Sequence, residues 1–285
     1  MKCKRILSML LTLCMVMSLL AGTTVTASAA SVTTRTIPLD VTTIRNITDT
    51  NGNSITPTTD SEGNQIYKCE SEGWSYRLNS SKQIFELTLS GVNFDIKNTD
   101  LGWAIIAPKV ILADGTENRV STVSSNKTVA AINTQEITGS GSLTVSATGT
   151  SAGASCYGIY TNTQNLTLDQ CSIVVDGVTC TNGSATGIFA ASSKILTITA
   201  NTAKDNKITI KNVQGNTTKA LGSTRKIVAE GAFVSGARDS FTSGSTKSIY
   251  FQDSNVPVIV SFAAPSPEPE AATFTDGFGN TIENA

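Results

Sequence analysis

Side chains able to do acid–base work are present in this chain, but they are scattered. Asp114, Glu117, Glu136, Asp169, Asp176 and Asp205 fall in turns between short apolar runs and do not recur at one position. A glycosidase needs two carboxylates facing each other across about 5–9.5 Å. Asp169 and Asp176 are the nearest such pair in sequence, and no further feature marks them. A pectate lyase needs a base to take a proton and acids that hold calcium against the substrate, and no such cluster is visible. Histidine is absent, which removes Ser-His-Asp triads, Cys-His dyads and His-ligated zinc together. No catalytic residue is assigned, and the expectation is a protein that is not an enzyme. A polysaccharide lyase or glycoside hydrolase is kept as one alternative, a structural or adhesive surface module as another.

The elements that must position any site emerge from a repeat. Val110-Ile111-Leu112, Ile137-Thr138-Gly139, Leu166-Thr167-Leu168, Leu196-Thr197-Ile198 and Ile227-Val228-Ala229 start successive rows, at steps of 27, 29, 30 and 31 residues. A second short strand follows in several rows, for example Leu143-Thr144-Val145 and Ile173-Val174-Val175. A third closes most of them, as in Tyr157-Gly158-Ile159-Tyr160 and Thr186-Gly187-Ile188-Phe189. Apolar residues alternate within each strand, so one face is buried. One row cannot bury that face alone, but stacked rows can. The expected fold is an all-β, right-handed parallel β-helix of three short strands per turn and about six turns. Its inward ladders are expected to be Val110, Ile137, Leu166, Leu196, Ile227 and Ile106, Ile132, Ile159, Ile188, Leu221.

Two binding features follow from the rows. Ile159 and Ile188 face inward, so alternation turns Tyr160 and Phe189 outward, one rung apart at about 4.8 Å. They are read either as a flat platform for a sugar face or as a stack that stabilises neighbouring rungs. Lys109, Lys194, Arg225 and Lys226 fall at or just before the first strand of their rows. They are read as a basic edge for an anionic polymer or as a solvated edge. Trp74 and Trp103, at the start of the coil, are expected to cap its open end. The ligand-binding candidates are therefore Tyr160, Phe189, Lys109, Lys194 and Lys226.

The turn Ala113-Asp114-Gly115-Thr116-Glu117-Asn118, with the rung Gly139-Ser140-Gly141-Ser142-Leu143-Thr144-Val145, resembles the secreted carbohydrate-binding β-helix family of biomass-degrading anaerobic bacteria. The likeness covers roughly residues 84–223. It implies a right-handed parallel β-helix that binds cellulose or pectic polymers, carries bound calcium and has no demonstrated catalysis. The implied partner is a plant or cell-wall polysaccharide.

Both chain ends differ from the coil. Lys2, Lys4 and Arg5, an apolar run from Ile6 to Leu20 and Ala27-Ser28-Ala29 match a secretory signal peptide, so residues 1–30 are expected to be removed on export. That removal takes three of 21 basic residues and none of 22 acidic ones, leaving 255 residues at a net charge of −4. Such a charge argues against nucleic acid, and the mature chain is expected to be secreted with no membrane span. Cys69, Cys156, Cys171 and Cys180 remain. They are read as buried apolar side chains, with disulfides as the alternative that export permits. Residues 31–81 are expected to form a hairpin cap, 82–255 the coil, and 256–285 a Pro-rich linker and short tail. Thr48-Asp49-x-x-Gly52-Asn53, Thr59-Asp60-x-x-Gly63-Asn64 and Thr275-Asp276-x-x-Gly279-Asn280 are expected to be hairpin turns with glycine at positive φ.

Overall fold

The alternating rows do form stacked coils. The computed structural model describes residues 33–35, 38–42, 47–79, 81, 83–97, 102–199, 206–238 and 246–262. The signal-like segment 1–30, the loop 200–205 with Asp205, the Pro-rich stretch 265–270 and the third Asp-x-x-Gly-Asn copy lie outside these residues. Each coil contributes one strand to each of three sheets. The first takes Asn93–Lys97, Glu117–Ser124, Ser142–Gly149, Ser172–Cys180 and Lys207–Gln214. The second takes Trp103–Ile106, Thr128–Asn133, Ser155–Thr161, Ser184–Ala190 and Thr217–Ser223. The third takes Ile84–Leu89, Lys109–Leu112, Glu136–Gly139, Leu166–Asp169, Ile195–Thr199 and Lys226–Val228.

Neighbouring coil strands pair in parallel, giving a β-solenoid of about four turns. Strands that run antiparallel to the coil close it at both ends. Gln65–Cys69, Trp74–Asn79 and Ile84–Leu89 form an antiparallel meander on the third sheet. Val258–Ser261 pairs antiparallel with Lys207–Gln214. The region expected to be linker from residue 256 therefore begins with a strand of the body. Two of the expected hairpin turns are present, around Gly52 (φ 81°) and Gly63 (φ 79°). In each, an aspartate accepts the backbone N–H groups two and four residues on: Asp49 from Asn51 and Asn53, Asp60 from Glu62 and Asn64.

Inward columns run the length of the coil. Phe94, Val120, Val145, Val175 and Ile210 stack in the first sheet, all fully buried. In the second sheet the column is Ile105, Ile132, Ile159, Ile188 and Leu221. Ile106 was expected there, but it pairs with outward-facing Asn133. The alternation is broken because Ala104 and Ile105, like Ala131 and Ile132, are both in the core. The column of Ala104, Ala131, Gly158, Gly187 and Ala220 brings the second sheet close to the first. A Cβ on Gly158 would stand 2.7 Å from Val175 Cγ1, and one on Gly187 would stand 2.5 Å from Ile210 Cγ2.

The third sheet corrects the other ladder. Val110 pairs with Ile137, but Ile137 pairs with Leu168, while Leu166, Leu196 and Ile227 form a separate inward column. A slip of two residues keeps the same side chains inward, so apolar alternation alone does not exclude it.

The cysteines divide. Cys69 and Cys171 are free and buried. Cys156 and Cys180, read from sequence as buried thiols, form a disulfide with Cα atoms 5.7 Å apart. A separation of 24 residues is close to one coil, so the bond ties one coil to the next where the first sheet meets the second. Gly149, in register with Cys180, leaves room for it: a Cβ there would lie 2.4 Å from the Cys156 sulfur. Replacing both cysteines with alanine is expected to lower unfolding free energy by about 3 kcal/mol, the loop-closure value for that length. Urea denaturation checks this, and an unchanged midpoint contradicts it.

Candidate functional site

The outer face of the second sheet carries a row of aromatic rings. Tyr160 is in register with Phe189, so the two share a column. Two further rings join them. Tyr157 projects from the same strand as Tyr160, and Trp103 lies in Tyr157's column with Ala130 between them. Trp103 does not cap an open end. It stacks on Tyr160 at 5.6 Å between centroids, Tyr160 on Tyr157 at 4.6 Å, and Tyr157 on Phe189 at 5.3 Å. Their planes lie within 6° to 20° of parallel. Only Phe189 stands one strand from its ring neighbours; Tyr157 and Tyr160 share a strand, and Trp103 reaches Tyr160 across the strand of Ala130.

Coplanar rings side by side need wider separations than these, so the faces overlap. The rings thus cover much of one another's faces. Tyr160 is 8 % exposed, while Trp103, Tyr157 and Phe189 are half-buried. Ala130, between Trp103 and Tyr157, is fully buried. Phe189 lies over Gly222, where an added Cβ would approach Cδ2 to 2.6 Å. Among the described residues, Trp103 has a ring neighbour on one side only. Burial pushes the hydroxyls of Tyr157 and Tyr160 up, so both remain neutral hydrogen-bond donors near pH 7. Beyond Phe189, Tyr157's column runs through Thr186 to Lys219, whose ammonium lies 5.7 Å from the Tyr250 ring. The Arg238 guanidinium lies 5.0 Å from the same ring.

Trp103 and Tyr157 carried a sequence signal that the row alignment hid. Each stands two residues before an inward isoleucine, Ile105 and Ile159. Placing Ile106 in the ladder shifted Trp103 out of that column.

The lysines do not form one edge. Lys109 sits between two glutamates of adjacent strands, 3.6 Å from Glu86 and 3.2 Å from Glu136. The two-residue slip then puts Thr167 and Thr197 in its column, while Lys226 pairs with Ile195 elsewhere on the sheet. Lys194 precedes Ile195 in a turn, and Arg225 is exposed beside Lys226. The third sheet carries an alternating ladder instead. Arg77, Glu86, Lys109 and Glu136 are in register, and Arg77 also meets Glu62 at 2.7 Å.

The acids have separate partners. Asp114 accepts from Ser140, and Asp169 from Thr199 and Thr138. Burial pushes the Asp176 carboxyl up, but bonds from Asn212 and Lys211 outweigh it and hold the carboxyl below the usual range. Asp169 and Asp176 stand on different sheets and do not form a facing pair. Calcium is implied by the family resemblance, but among the described residues no three His, Cys, Asp or Glu side chains converge to hold a metal. The Cys171 thiol is pushed up to about 12 by burial and by Asp169, so it is not a nucleophile at neutral pH. Comparison with family models, curated proteins and solved structures returns no match.

Proposed function

We propose that this chain is a secreted, non-catalytic polysaccharide-binding protein whose contact surface is the aromatic row on the second sheet. The observation that carries the reading is the four-ring stack on an outer face, where a soluble coil has no need of large apolar side chains. Trp103, Tyr157 and Phe189 each keep part of the ring accessible, and Tyr157 and Tyr160 carry neutral hydroxyls. A glycan chain lying along the coil axis would meet these groups at successive rungs. A disulfide within the coil suits export, since such bonds persist in oxidising compartments.

The rings' stacking on one another favours a second reading, in which the row only clamps adjacent coils. Affinity electrophoresis through gels containing soluble cellulose derivatives, xylan or pectate separates the two. Retardation of the parent protein is expected on at least one glycan. Trp103→Ala with Phe189→Ala is expected to weaken it about tenfold or more, at roughly 1 kcal/mol per ring. Tyr160→Ala with Phe189→Ala should do the same, with an added loss of stability because Tyr160 is buried. Unchanged retardation in both double variants, with lowered melting temperatures, would leave the row as a clamp alone. Release of reducing ends from any retarded glycan would overturn the non-catalytic assignment.

A further inference from the structure

At the corner where the second sheet turns into the third lies a cleft of about 390 Å³, lined in part by Phe85, Glu86, Lys109, Gln135 and Glu136. We infer that this cleft is a separate site for one or two neutral sugar units, resting on the polysaccharide reading for its ligand class. The volume is at the small end for ligand sites, which suits one or two sugar rings and not a polymer segment. Phe85 packs partly against the core, giving the cleft an apolar wall for the C–H face of a pyranose. The other walls are polar and of mixed kind. Carboxylates accept from sugar hydroxyls, while the ammonium and the glutamine amide donate to them.

The charges argue for a neutral ligand. Lys109 lies between Glu86 and Glu136, at 3.6 and 3.2 Å, and Glu86 also meets Arg77 at 3.9 Å. An anionic sugar would find that cation already paired and two carboxylates beside it. Each member of the trio keeps a quarter or more of its side chain exposed, so ligand hydroxyls can reach it without breaking the ladder. The trio also holds the polar atoms in place before binding, which lowers the ordering cost. This site is distinct from the aromatic row, which occupies the outer face of the second sheet.

The test is an NMR titration of the full 15N-labelled chain with cellobiose, xylobiose and, as the charged control, digalacturonate. The signals followed are the Gln135 side-chain amide and the backbone amides of Lys109 and Glu136. Saturable shifts are expected with a neutral disaccharide and none with digalacturonate. Glu136→Ala and Lys109→Met should each weaken the response at least about tenfold, with unchanged circular dichroism. Trp103→Ala with Phe189→Ala should leave it intact. The inference is overturned by silence at all three signals with both neutral sugars, by an equal response to digalacturonate, or by parent-like titration of Glu136→Ala. Cleft shifts in a protein that no polymer gel retards would sustain this site and sink the polymer-binding row. Polymer retardation with a silent cleft would do the reverse.

Discussion

Leu166→Asp is expected to prevent the coil from folding. Leu166 is fully buried and stacks on Leu196, which stacks on Ile227. Among the described residues the column is Leu166, Leu196 and Ile227, all apolar, so the charge must be desolvated or neutralised inside apolar packing. The cost exceeds about 4 kcal/mol, a large share of the roughly 5–15 kcal/mol that keeps a domain folded. Loss of soluble expression, or of cooperative melting in whatever protein is recovered, is the expected result. Leu166→Ala is the graded control, with an expected loss of about 2–5 kcal/mol from its cavity. An aspartate variant melting with the parent would contradict the inward assignment of this column.

Asn118→Ala has the next largest expected effect. Asn118 ends the Ala-Asp-Gly-Thr-Glu-Asn turn and is 2 % exposed. Its Oδ1 accepts the backbone N–H groups of Gly91 and Val92, each at 3.0 Å. Its Nδ2 donates to the Ser142 carbonyl at 3.1 Å and to Thr116 Oγ1 at 3.2 Å. One amide thus links the coil before it to the coil after it. Truncation strands two backbone donors and one carbonyl, at about 1–3 kcal/mol for each buried group, so a total near 3 kcal/mol or more is expected. Urea denaturation reads it directly, and a change below about 1 kcal/mol would show that water or a shifted chain replaces the amide.

The turn that carries the family resemblance is thus explained by a structural job, whatever the protein binds. The stacked-coil architecture was legible because equivalent apolar residues return every third strand. The register within the third sheet was not. Leu166 and Leu168 are both apolar and both inward, and period-two alternation fits either partner for Ile137 equally well. That one ambiguity also produced the expected lysine edge, which dissolves once Leu168 replaces Leu166 opposite Ile137. In the second sheet, paired isoleucines at 105 and 106 concealed a bend made by Ala131, Gly158 and Gly187. The bend decides which of the neighbouring side chains face out. The outward direction of Tyr160 and Phe189 follows from alternation. The nesting of Tyr160 between Trp103 and Tyr157 depends on rotamers and on the small residue at Ala130, and no periodicity encodes it. The sequence left the disulfide as an alternative to buried thiols, because its cysteines are about one coil apart along the chain and share no short motif.

Binding along the aromatic row is tested most directly by tryptophan fluorescence. The chain has two tryptophans, and Trp74, at the start of a strand of the N-terminal meander, is 2 % exposed with its indole N–H bonded to Glu72. Trp103, half-buried in the row, is therefore the emitter that a bound glycan can reach. Titration with the glycan that retards the protein most should shift its emission saturably, and Trp103→Phe should abolish that change while leaving the Trp74 signal. A glycan that retards the protein without altering Trp103 emission would place binding elsewhere and contradict the account.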